Sequence, residues 1–306
     1  MTGAPSYMKK SLTPSKRRCN SYMVSLQDYE NQVPVAWCPG CGNFAILHTL
    51  KLALVELAKK PHQVLLVSGI GQAPKLPHYL KCNAFNGLHG RSLPVATAAK
   101  TVNHTLTVIV IAGDGDCYAE GGNHFIHAIR RNSDITLLVH NNQVYGLTRG
   151  QASPTCERGF ITRVQTHGVL FPPLNPLTLA ISQDASFVGR GYAGEGDHLK
   201  ELIKDAILHP GFALIDILQP CVSFDHTHTY SWYQKRVYHL GNDYDLHDKL
   251  TAFQKAQEWG DKIPLGVLYK TNRPTFESLQ PVLNKGTLIS QETDPSKLHD
   301  VLDEFV

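Results

Sequence analysis

The feature that most constrains the fold is a series of short segments rich in Val, Ile and Leu, in which polar and apolar residues do not alternate. Such segments are typical of parallel strands that are buried on both faces. They occupy residues 64–67, 106–112, 135–139, 186–188 and 213–218. Segments with helical periodicity lie between them, at residues 43–59, 122–131, 177–183 and 197–208. This alternation predicts an α/β fold, a mostly parallel sheet with helices on both faces.

The character of the sequence divides the 306-residue chain into three regions. Residues 1–35 have little periodicity and carry five basic residues before the first acidic one, so we expect a basic N-terminal arm. Residues 36–222 hold the predicted sheet and form the main domain. Residues 223–306 contain a helical stretch at 245–259 and a tail from 264 onward. We expect this region to be a C-terminal extension that packs on the main domain or on a partner.

The charge distribution argues against binding to nucleic acid. The net charge is +3, and the acidic residues slightly outnumber the basic ones once the arm is set aside. A basic surface on the main domain is therefore not expected. No apolar run reaches about 18 residues, and the N-terminal residues lack the apolar segment of a secretory signal. The sequence thus predicts no membrane span and a cytoplasmic location.

Polar residues follow two neighbouring strands of the predicted sheet. Asp114 lies in a Gly-Asp-Gly-Asp turn after the segment 106–112, and Asn142 follows the segment 135–139. With one helix between them, both belong at the carboxyl edge of adjacent parallel strands. A carboxylate and an amide oxygen suit a divalent cation that keeps water and phosphate ligands. Gly115 lets the backbone approach a phosphate, next to the start of the helix 122–131.

The two motifs together resemble the diphosphate-binding motif of thiamine-diphosphate enzymes. The resemblance implies that Mg2+ is held by Asp114, Asn142 and the backbone carbonyl of Val144. It also implies that the cofactor is lined by residues of the two loops, namely Gly113, Gly115, Asp116, Asn142, Tyr145, Gly146, Leu147 and Thr148.

The chain has seven cysteines, an odd number that argues against a framework of disulfides in a protein expected inside the cell. Cys38 and Cys41 are close enough in sequence to share one metal or cluster, but the pair alone fits zinc, an iron–sulfur cluster or a redox dithiol. Cys82 and Cys221 are the candidates for two further ligands. The other three are Cys19 in the arm and Cys117 and Cys156, which we expect to be small buried side chains.

A more specific resemblance covers roughly residues 37–238. The segments 38–43, 68–71, 77–79, 87–91, 121–131 and 145–148 together resemble the beta subunit of the 2-oxoacid:ferredoxin oxidoreductases. The resemblance implies an enzyme that oxidatively decarboxylates a 2-oxo acid with coenzyme A to acyl-CoA and CO2. Electrons would pass through one [4Fe–4S] cluster, close to the thiamine, to ferredoxin. Among the substrates we favour 2-oxoglutarate, with pyruvate next.

The same resemblance implies a partner chain. Activation of thiamine needs a glutamate against its aminopyrimidine ring, and the sequence offers no second domain that could carry one. We therefore expect an alpha (or fused alpha/gamma) subunit to complete the active site, in a heterodimer that pairs again into a tetramer.

One expected cluster ligand is missing from the sequence. Cys38, Cys41 and Cys221 match three ligands of the family, whereas Gln72 stands where many members have a cysteine after a Ser-Gly-Ile-Gly turn. Glutamine is a poor ligand for a soft metal. We therefore predict that Cys82, ten residues further on in the same loop, replaces it, the alternative being a site without a cluster.

Further site residues follow from the same resemblance. A wall of the cofactor pocket is implied for Gly69, Ile70, Gly71, Gln72 and Ala73. Lys75 matches a lysine that faces the reactive carbon, where a cation could attract a carboxylate or thioester. His89 could hydrogen-bond the diphosphate or the substrate. These two are the catalytic candidates, and a solvated lysine and a structural histidine are the alternatives.

Two other functions remain open at this point. One is a non-redox thiamine-diphosphate decarboxylase or carboligase subunit with a structural zinc at the cysteines. The other is a non-catalytic scaffold subunit with a vestigial cofactor site. A second zinc interpretation, at the Asp-His-Thr-His run 225–228 beside Cys221, lacks a fourth ligand at regular spacing.

Overall fold

The computed structural model describes residues 23–292 and 294–305, and its secondary structure alternates strands with helices. The strands are β1 (Val64–Ser68), β2 (Asn83–Asn86), β3 (Thr107–Gly113), β4 (Thr136–Asn141), β5 (Val144–Tyr145), β6 (Gln151–Ala152), β7 (Phe187–Tyr192), β8 (Ala213–Leu218), β9 (Val237–His239) and β10 (Ile263–Lys270). The helices are α1 (Gly42–Glu56), α2 (Ser92–Val102), α3 (Gly122–Arg131), α4 (Pro176–Ser182), α5 (Gly196–Leu208), α6 (Tyr230–Gln234), α7 (Lys249–Gln257) and α8 (Lys297–Asp303). A 3-10 helix, Ala73–Tyr79, and a π-helical segment, Gly115–Glu120, lie in the loops after β1 and β3.

Eight strands form one sheet in the order β2-β1-β3-β4-β8-β7-β10-β9. The first six in this order run parallel, β10 runs antiparallel to β7, and β9 runs parallel to β10. The strands β5 and β6 form a separate hairpin. The predicted α/β fold with a mostly parallel sheet is confirmed.

Apolar clusters cover both faces of the sheet, which explains why the strands lack polar alternation. In β3, Val108 and Val110 belong to one cluster with residues of α2, α3, α4 and α7. Ile109 and Ile111 belong to the other, with residues of α1 and α5. All four side chains are almost fully buried. Each stabilises the fold by roughly 1.5–3 kcal/mol relative to an exposed position.

Several elements differ from the sequence-based expectation. The strand predicted at 186–188 extends to Tyr192, because Gly189, Arg190 and Gly191 interrupt the apolar pattern but not the strand. Gly191 is required by close packing, since a Cβ there would lie 2.6 Å from Cδ1 of Leu199 on α5. The elements α2 and β2 were not predicted. All four residues of β2 are exposed at the edge of the sheet, so the sequence carries no apolar signal there.

The C-terminal region is part of the sheet rather than an added layer. The strand β10, from the predicted tail, pairs with β7 of the main domain, and β9 pairs with β10. Pro264 and Gly266, the latter at φ +117°, interrupt the strand signal in the sequence. The basic residues of the predicted arm, and Cys19, lie outside the described residues. Among the helices of the described residues, none is long and apolar enough to cross a bilayer.

The parallel register places four strand ends at one edge. Ser68 of β1 pairs with Ile111, two residues before the end of β3, and Gly113 ends β3 opposite His140 of β4. Asn141, the last residue of β4, pairs with Leu218, the last residue of β8. The loops that follow these four strands therefore leave the sheet side by side, where ligands bind in open parallel sheets.

The side chain of Asn132 joins four parts of the fold, and its contribution to stability can be tested by substitution. It ends α3 in the left-handed conformation, at φ +55°. Its Oδ1 accepts hydrogen bonds from Ser186 Oγ at 2.7 Å and Phe212 N at 2.9 Å. Its Nδ2 donates to the carbonyls of Arg273 and Pro274 at 3.2 and 3.1 Å. The side chain thus connects α3 to the starts of β7 and β8 and to the segment after β10.

We expect Asn132→Gly to lower the free energy of unfolding by about 2–4 kcal/mol, because glycine tolerates the backbone conformation but leaves buried polar groups without partners. Thermal and urea denaturation, followed by circular dichroism, measure the loss. The matched control is Asn242→Gly at an exposed turn. Equal stability of the two variants would refute the role of Asn132.

Candidate active site

The carboxylate of Asp114 lies at the centre of the shared edge. The residue follows β3 and is 2% exposed. Its Oδ2 accepts hydrogen bonds from Ser153 Oγ at 2.5 Å and Thr155 Oγ1 at 2.6 Å. Burial raises the pKa of Asp114 to about 6, and the two hydroxyl donors oppose that rise. The carboxylate is therefore held in a site that favours a compensating positive charge.

The two asparagines after β4 have different surroundings. Asn142 Oδ1 accepts a hydrogen bond from Val144 N at 3.1 Å, which closes a turn into the β5–β6 hairpin. Asn141 donates through Nδ2 to Asp216 at 3.1–3.2 Å, and Thr155 Oγ1 lies 2.9 Å from Asn141 Oδ1. Thr155 thus bridges Asn141 to Asp114. The predicted ligand trio of Asp114, Asn142 and Val144 lies on neighbouring loops at this edge and stays a prediction.

Ser153 and Thr155 were missed by the sequence analysis. Both are buried, and they follow β6, where the hairpin turns the chain back towards β3. Ser153 N donates to the carbonyl of Gln143 at 3.2 Å, which fixes that return. The signal in the sequence is weak: residues 146–150 form a loop that begins and ends with glycine, and loops of this length that contain glycine are compatible with a hairpin.

Asp116 ties the loop after β1 to the loop before α2. Its Oδ1 accepts a hydrogen bond from Gly90 N at 2.8 Å. Its Oδ2 is buried without a hydrogen-bond partner in the described part of the chain. A Cβ at Gly69 would lie 1.8 Å from that oxygen, so only glycine fits there. Burial raises the pKa of Asp116 to about 6. The backbone amides of Gly90 and Ile70 oppose that rise, so the carboxylate lies next to the wall predicted to line a cofactor.

The predicted residues of the hairpin turn lie on the opposite side of this wall. The ring of Tyr145 packs on Gly115, where a Cβ would lie 2.2 Å from Cε1 of the ring. Tyr145 OH donates to Glu120 Oε1 at 3.2 Å. Thr148 Oγ1 donates to Gln151 Oε1 at 2.6 Å, and Leu147 is 49% exposed. The turn therefore closes over the π-helical segment and presents an apolar side chain outward.

The two catalytic candidates lie on separate loops of the edge. Lys75 is half-buried on the 3-10 helix Ala73–Tyr79. His89 is exposed, and its charge lowers the pKa of Asp116 in opposition to burial, which places the ring near that carboxylate. Their catalytic roles stay predictions.

Three of the four predicted thiols gather at the same edge. Cys41 immediately precedes α1, and Cys221 follows β8. Burial raises the pKa of Cys41, and the neighbouring thiols of Cys221 and Cys38 act in the same direction. Gln219 Nε2 lies 3.4 Å from Cys41 Sγ, and Ser223 Oγ lies 3.0 Å from Cys38 Sγ. Hydrogen bonds to sulfur are typical of thiolate sites that hold metals or clusters.

Cys82 is not part of this group, which corrects the ligand set predicted from the sequence. It immediately precedes β2, whose first residue Asn83 pairs with Leu65 near the start of β1. Cys82 therefore lies at the amino edge of the parallel strands, across the sheet from the other three. It packs against the apolar cluster of α1 and α5, and burial raises the pKa of its thiol to about 12. This is the environment of a structural cysteine.

The Asp225–His228 segment forms an internal ion pair rather than a zinc site. His228 Nδ1 lies 2.7 Å from Asp225 Oδ2, and His228 Nε2 lies 3.3 Å from Glu157 Oε1. Asp225 N in turn donates to the carbonyl of Cys221 at 3.1 Å. The buried histidine thus holds the loop that carries Cys221, with both ring nitrogens facing carboxylates.

A further group of possible metal ligands lies outside the predicted site. Atoms of Glu195, His198 and His239 lie within 4.8 Å of one another. His239 Nε2 lies 2.5 Å from Glu195 Oε2, and the two imidazole rings stack at 4.3 Å. A hydrogen-bonded imidazole–carboxylate pair with a stacked neighbour accounts for this geometry without a cation.

Family models match two consecutive parts of the chain. The C-terminal TPP binding domain of thiamine pyrophosphate enzymes matches residues 63–217. The C-terminal region of the pyruvate ferredoxin oxidoreductase beta subunit matches residues 221–285. The first match contains β1 to β7 and all but the last residue of β8, and the second contains β9 and β10.

Individual proteins are similar over most of the chain. A 2-oxoacid:ferredoxin oxidoreductase subunit beta from Saccharolobus solfataricus is 47% identical, over 76% of this chain and 81% of the relative. A 2-oxoglutarate synthase subunit KorB from Methanocaldococcus jannaschii is 32% identical, over 84% of this chain and 95% of the relative. Among solved structures, the 2-oxoglutarate:ferredoxin oxidoreductase from Magnetococcus marinus, with 2-oxoglutarate, coenzyme A and succinyl-CoA bound, superposes with a TM-score of 0.85. It is 33% identical, over 91% of this chain and 95% of that chain.

The His228 ion pair predicts a pH-dependent stability. Burial lowers the pKa of His228, but the bonds to Asp225 and Glu157 outweigh it and raise the pKa to about 9. A raised histidine pKa gives stability that is fully present below about pH 6.5 and is lost as the pH rises through about 9. We expect His228→Gln to cost about 2 kcal/mol at pH 6, after allowance for screening, and much less above pH 9.

Thermal denaturation at pH 6, 7.5 and 9.5 tests this expectation. The control is His62→Gln at an exposed position, which should leave the profile unchanged. A deficit in His228→Gln that does not vary with pH would show that packing, and not the ion pair, holds the loop.

Proposed function

Since this chain belongs to the beta subunits of the 2-oxoacid:ferredoxin oxidoreductases, we propose that it binds thiamine diphosphate and oxidatively decarboxylates a 2-oxo acid with coenzyme A. The products are an acyl-CoA and CO2, and the electrons go to ferredoxin. The observation that carries the proposal is the single sheet edge that gathers buried Asp114, the β5–β6 hairpin and the thiols of Cys38, Cys41 and Cys221.

The residues at the edge fit thiamine diphosphate and Mg2+. Asp114 is a buried carboxylate whose raised pKa is relieved by a cation. A Cβ at Gly113 would meet no atom of the described residues within 4 Å, which leaves open space beside the strand end. We propose Asp114, Asn142 and the Val144 carbonyl as Mg2+ ligands. The diphosphate would lie along residues 113–116 and 145–148, near the start of α3. When bound, the cofactor supplies the carbanion and the electron sink for decarboxylation.

The protein's own groups would form the walls of the cofactor pocket and position the substrate. Asp116 and Gly69 hold the wall of residues 69–73 against the π-helical segment. Tyr145 closes the other side over Gly115. We propose that Lys75 attracts the carboxylate of the substrate or the thioester of the product, because an ammonium group in a partly dry site favours an anion. His89, near Asp116, would hydrogen-bond the diphosphate or the substrate.

The iron–sulfur site fits less completely. Three thiols lie together, whereas a [4Fe–4S] cluster is usually held by four. We propose that a cluster binds at Cys38, Cys41 and Cys221.

The substrate proposal rests on the relatives. The Methanocaldococcus protein is named for 2-oxoglutarate, and the Magnetococcus structure contains that acid with coenzyme A and succinyl-CoA. We propose 2-oxoglutarate as the preferred substrate and pyruvate as the next. The chain, co-purified anaerobically with its partner, should reduce ferredoxin fastest with 2-oxoglutarate and coenzyme A. Faster reduction with pyruvate would overturn the preference but not the reaction class.

A partner subunit is proposed to cover the edge. Two apolar residues on cofactor loops, Leu88 and Leu147, are 75% and 49% exposed, and Phe85 on β2, three residues before Leu88, is 50% exposed. Exposed apolar groups around a site mark interaction surfaces. The relatives are named as subunits, and we propose that an alpha or fused alpha/gamma chain packs here and supplies the activating glutamate.

We expect Leu88→Arg with Leu147→Arg to reduce co-purification of the partner by at least about tenfold, because buried arginines without partners oppose association. Leu250→Arg is the matched control, on α7 away from the cofactor loops and 78% exposed. Affinity capture of the tagged chain, with both subunits quantified, measures the effect. Equal capture by all three proteins would place the interface elsewhere.

We expect Asp114→Asn to weaken Mg2+-dependent binding of thiamine diphosphate by roughly 100-fold, because the cation loses a buried negative ligand. Calorimetric titration of the co-purified complex measures the affinity, and Asp243→Asn at an exposed turn is the control. Without Mg2+, the variant should be at least as stable as the wild type at pH 7. The raised pKa of Asp114 means that its ionisation costs stability as the pH rises from about 4 through about 6. Unchanged affinity would refute the thiamine site.

A further inference from the structure

Among the described residues, the thiols of Cys38, Cys41 and Cys221 lie together at the carboxyl edge, and the thiol of Cys82 does not. Cys82 lies at the amino edge and packs against the apolar cluster of α1 and α5. The remaining described cysteines, Cys117 and Cys156, are both 2% exposed. Cys117 belongs to the apolar cluster of α2, α3, α4 and α7, and the thiols next to Cys41 are those of Cys221 and Cys38. Cys117 and Cys156 are therefore not part of the group of thiols at the carboxyl edge.

Gln72 lies between the cysteine pair and the cofactor loops. Trp37, the residue before Cys38, donates from Nε1 to the backbone carbonyl of Gln72 at 2.8 Å. On the other side, a Cβ at Gly146 would lie 3.8 Å from Cγ of Gln72. The backbone of Gln72 is thus tied to the loop of the first two thiols, and its side chain lies next to the hairpin turn.

The amide oxygen of Gln72 is itself unexplained. Gln72 Oε1 is buried and has no hydrogen-bond partner among the described residues. A buried amide oxygen without a partner costs roughly 1–3 kcal/mol, so such groups usually have a ligand or a water. An amide oxygen can act as a ligand to iron, although it binds more weakly than a thiolate does.

We propose that, among the described cysteines, Cys38, Cys41 and Cys221 hold a [4Fe–4S] cluster, with the side-chain amide of Gln72 at the iron that lacks a thiolate. The proposal rests on the proposed function, which calls for an electron carrier at this edge. Its consequence is an iron that can be removed. One-electron oxidation by ferricyanide converts [4Fe–4S]2+ into [3Fe–4S]+ and releases one Fe2+, and the electron reduces ferricyanide to ferrocyanide. The three thiolates retain the remaining three irons and all four sulfides.

Anaerobically co-purified complex, treated with ferricyanide and desalted, tests this consequence. Iron and sulfide analysis of the wild type should show the loss of one iron in four with sulfide retained, together with the EPR signal of an oxidised three-iron cluster. Fe2+ with a reductant should restore the starting state. Gln72→Cys should abolish the loss, because it supplies the fourth thiolate. Gln72→Ala should release the iron several-fold faster than the wild type, because the amide oxygen is gone.

Cys82→Ser is the matched control, and its iron content and oxidation behaviour should equal those of the wild type. Several outcomes overturn the proposal. If the wild type keeps all its iron under ferricyanide, or if Cys82→Ser as purified contains less iron than the wild type, a fourth thiolate is present and the proposed function is untouched. If Gln72→Ala releases iron at the wild-type rate, the amide oxygen is not a ligand. If the purified complex contains zinc, or no metal, the electron carrier and with it the proposed redox function fail.

Discussion

The parallel register of β1, β3, β4 and β8 is the constraint on which the rest of the structure depends. Because these strands end together, the loops that carry the pocket wall, the Asp114 turn, the asparagines and Cys221 leave the sheet as neighbours. The same register forces the strands to be buried on both faces, which is why apolar residues dominate them. Fold and site therefore follow from one arrangement.

That edge holds acidic groups which the fold alone would not favour. Burial raises the pKa of Asp114, Asp116 and Asp216. Asp216 is compensated inside the protein, by hydrogen bonds from Asn141 and Tyr118 and by the nearby charge of Arg190. Asp114 receives only uncharged donors, the hydroxyls of Ser153 and Thr155 and a backbone amide, and Asp116 likewise receives backbone amides. Asp216 therefore has a structural role, because the protein itself compensates its charge. Asp114 and Asp116 lack such compensation, which supports a role in binding a cation or a proton.

The sequence predicted whatever depends on local pattern. Continuous apolar runs located five strands of the sheet, and the glycine-rich turns located Asp114 and Asn142 at strand ends. It failed where the structure depends on distant packing. The exposed edge strand β2 has no apolar signal, and β10 is recognisable only by its pairing with β7. Ser153 and Thr155 reach Asp114 only because a hairpin reverses the chain. The prediction that Cys82 is a cluster ligand was wrong for a related reason. Ten residues beyond Gln72 in sequence, the chain has already crossed the sheet to its other edge.

The loop after β1 therefore serves two sites at once, and this limits what can change there. Gly69 must remain glycine because Asp116 lies against it, and Gln72 is held through its backbone by Trp37. The backbone and glycine contacts that hold the wall do not depend on the side-chain amide at position 72, so a substitution there would change the proposed cluster site without moving this frame. The two sites are adjacent in space but separable in chemistry.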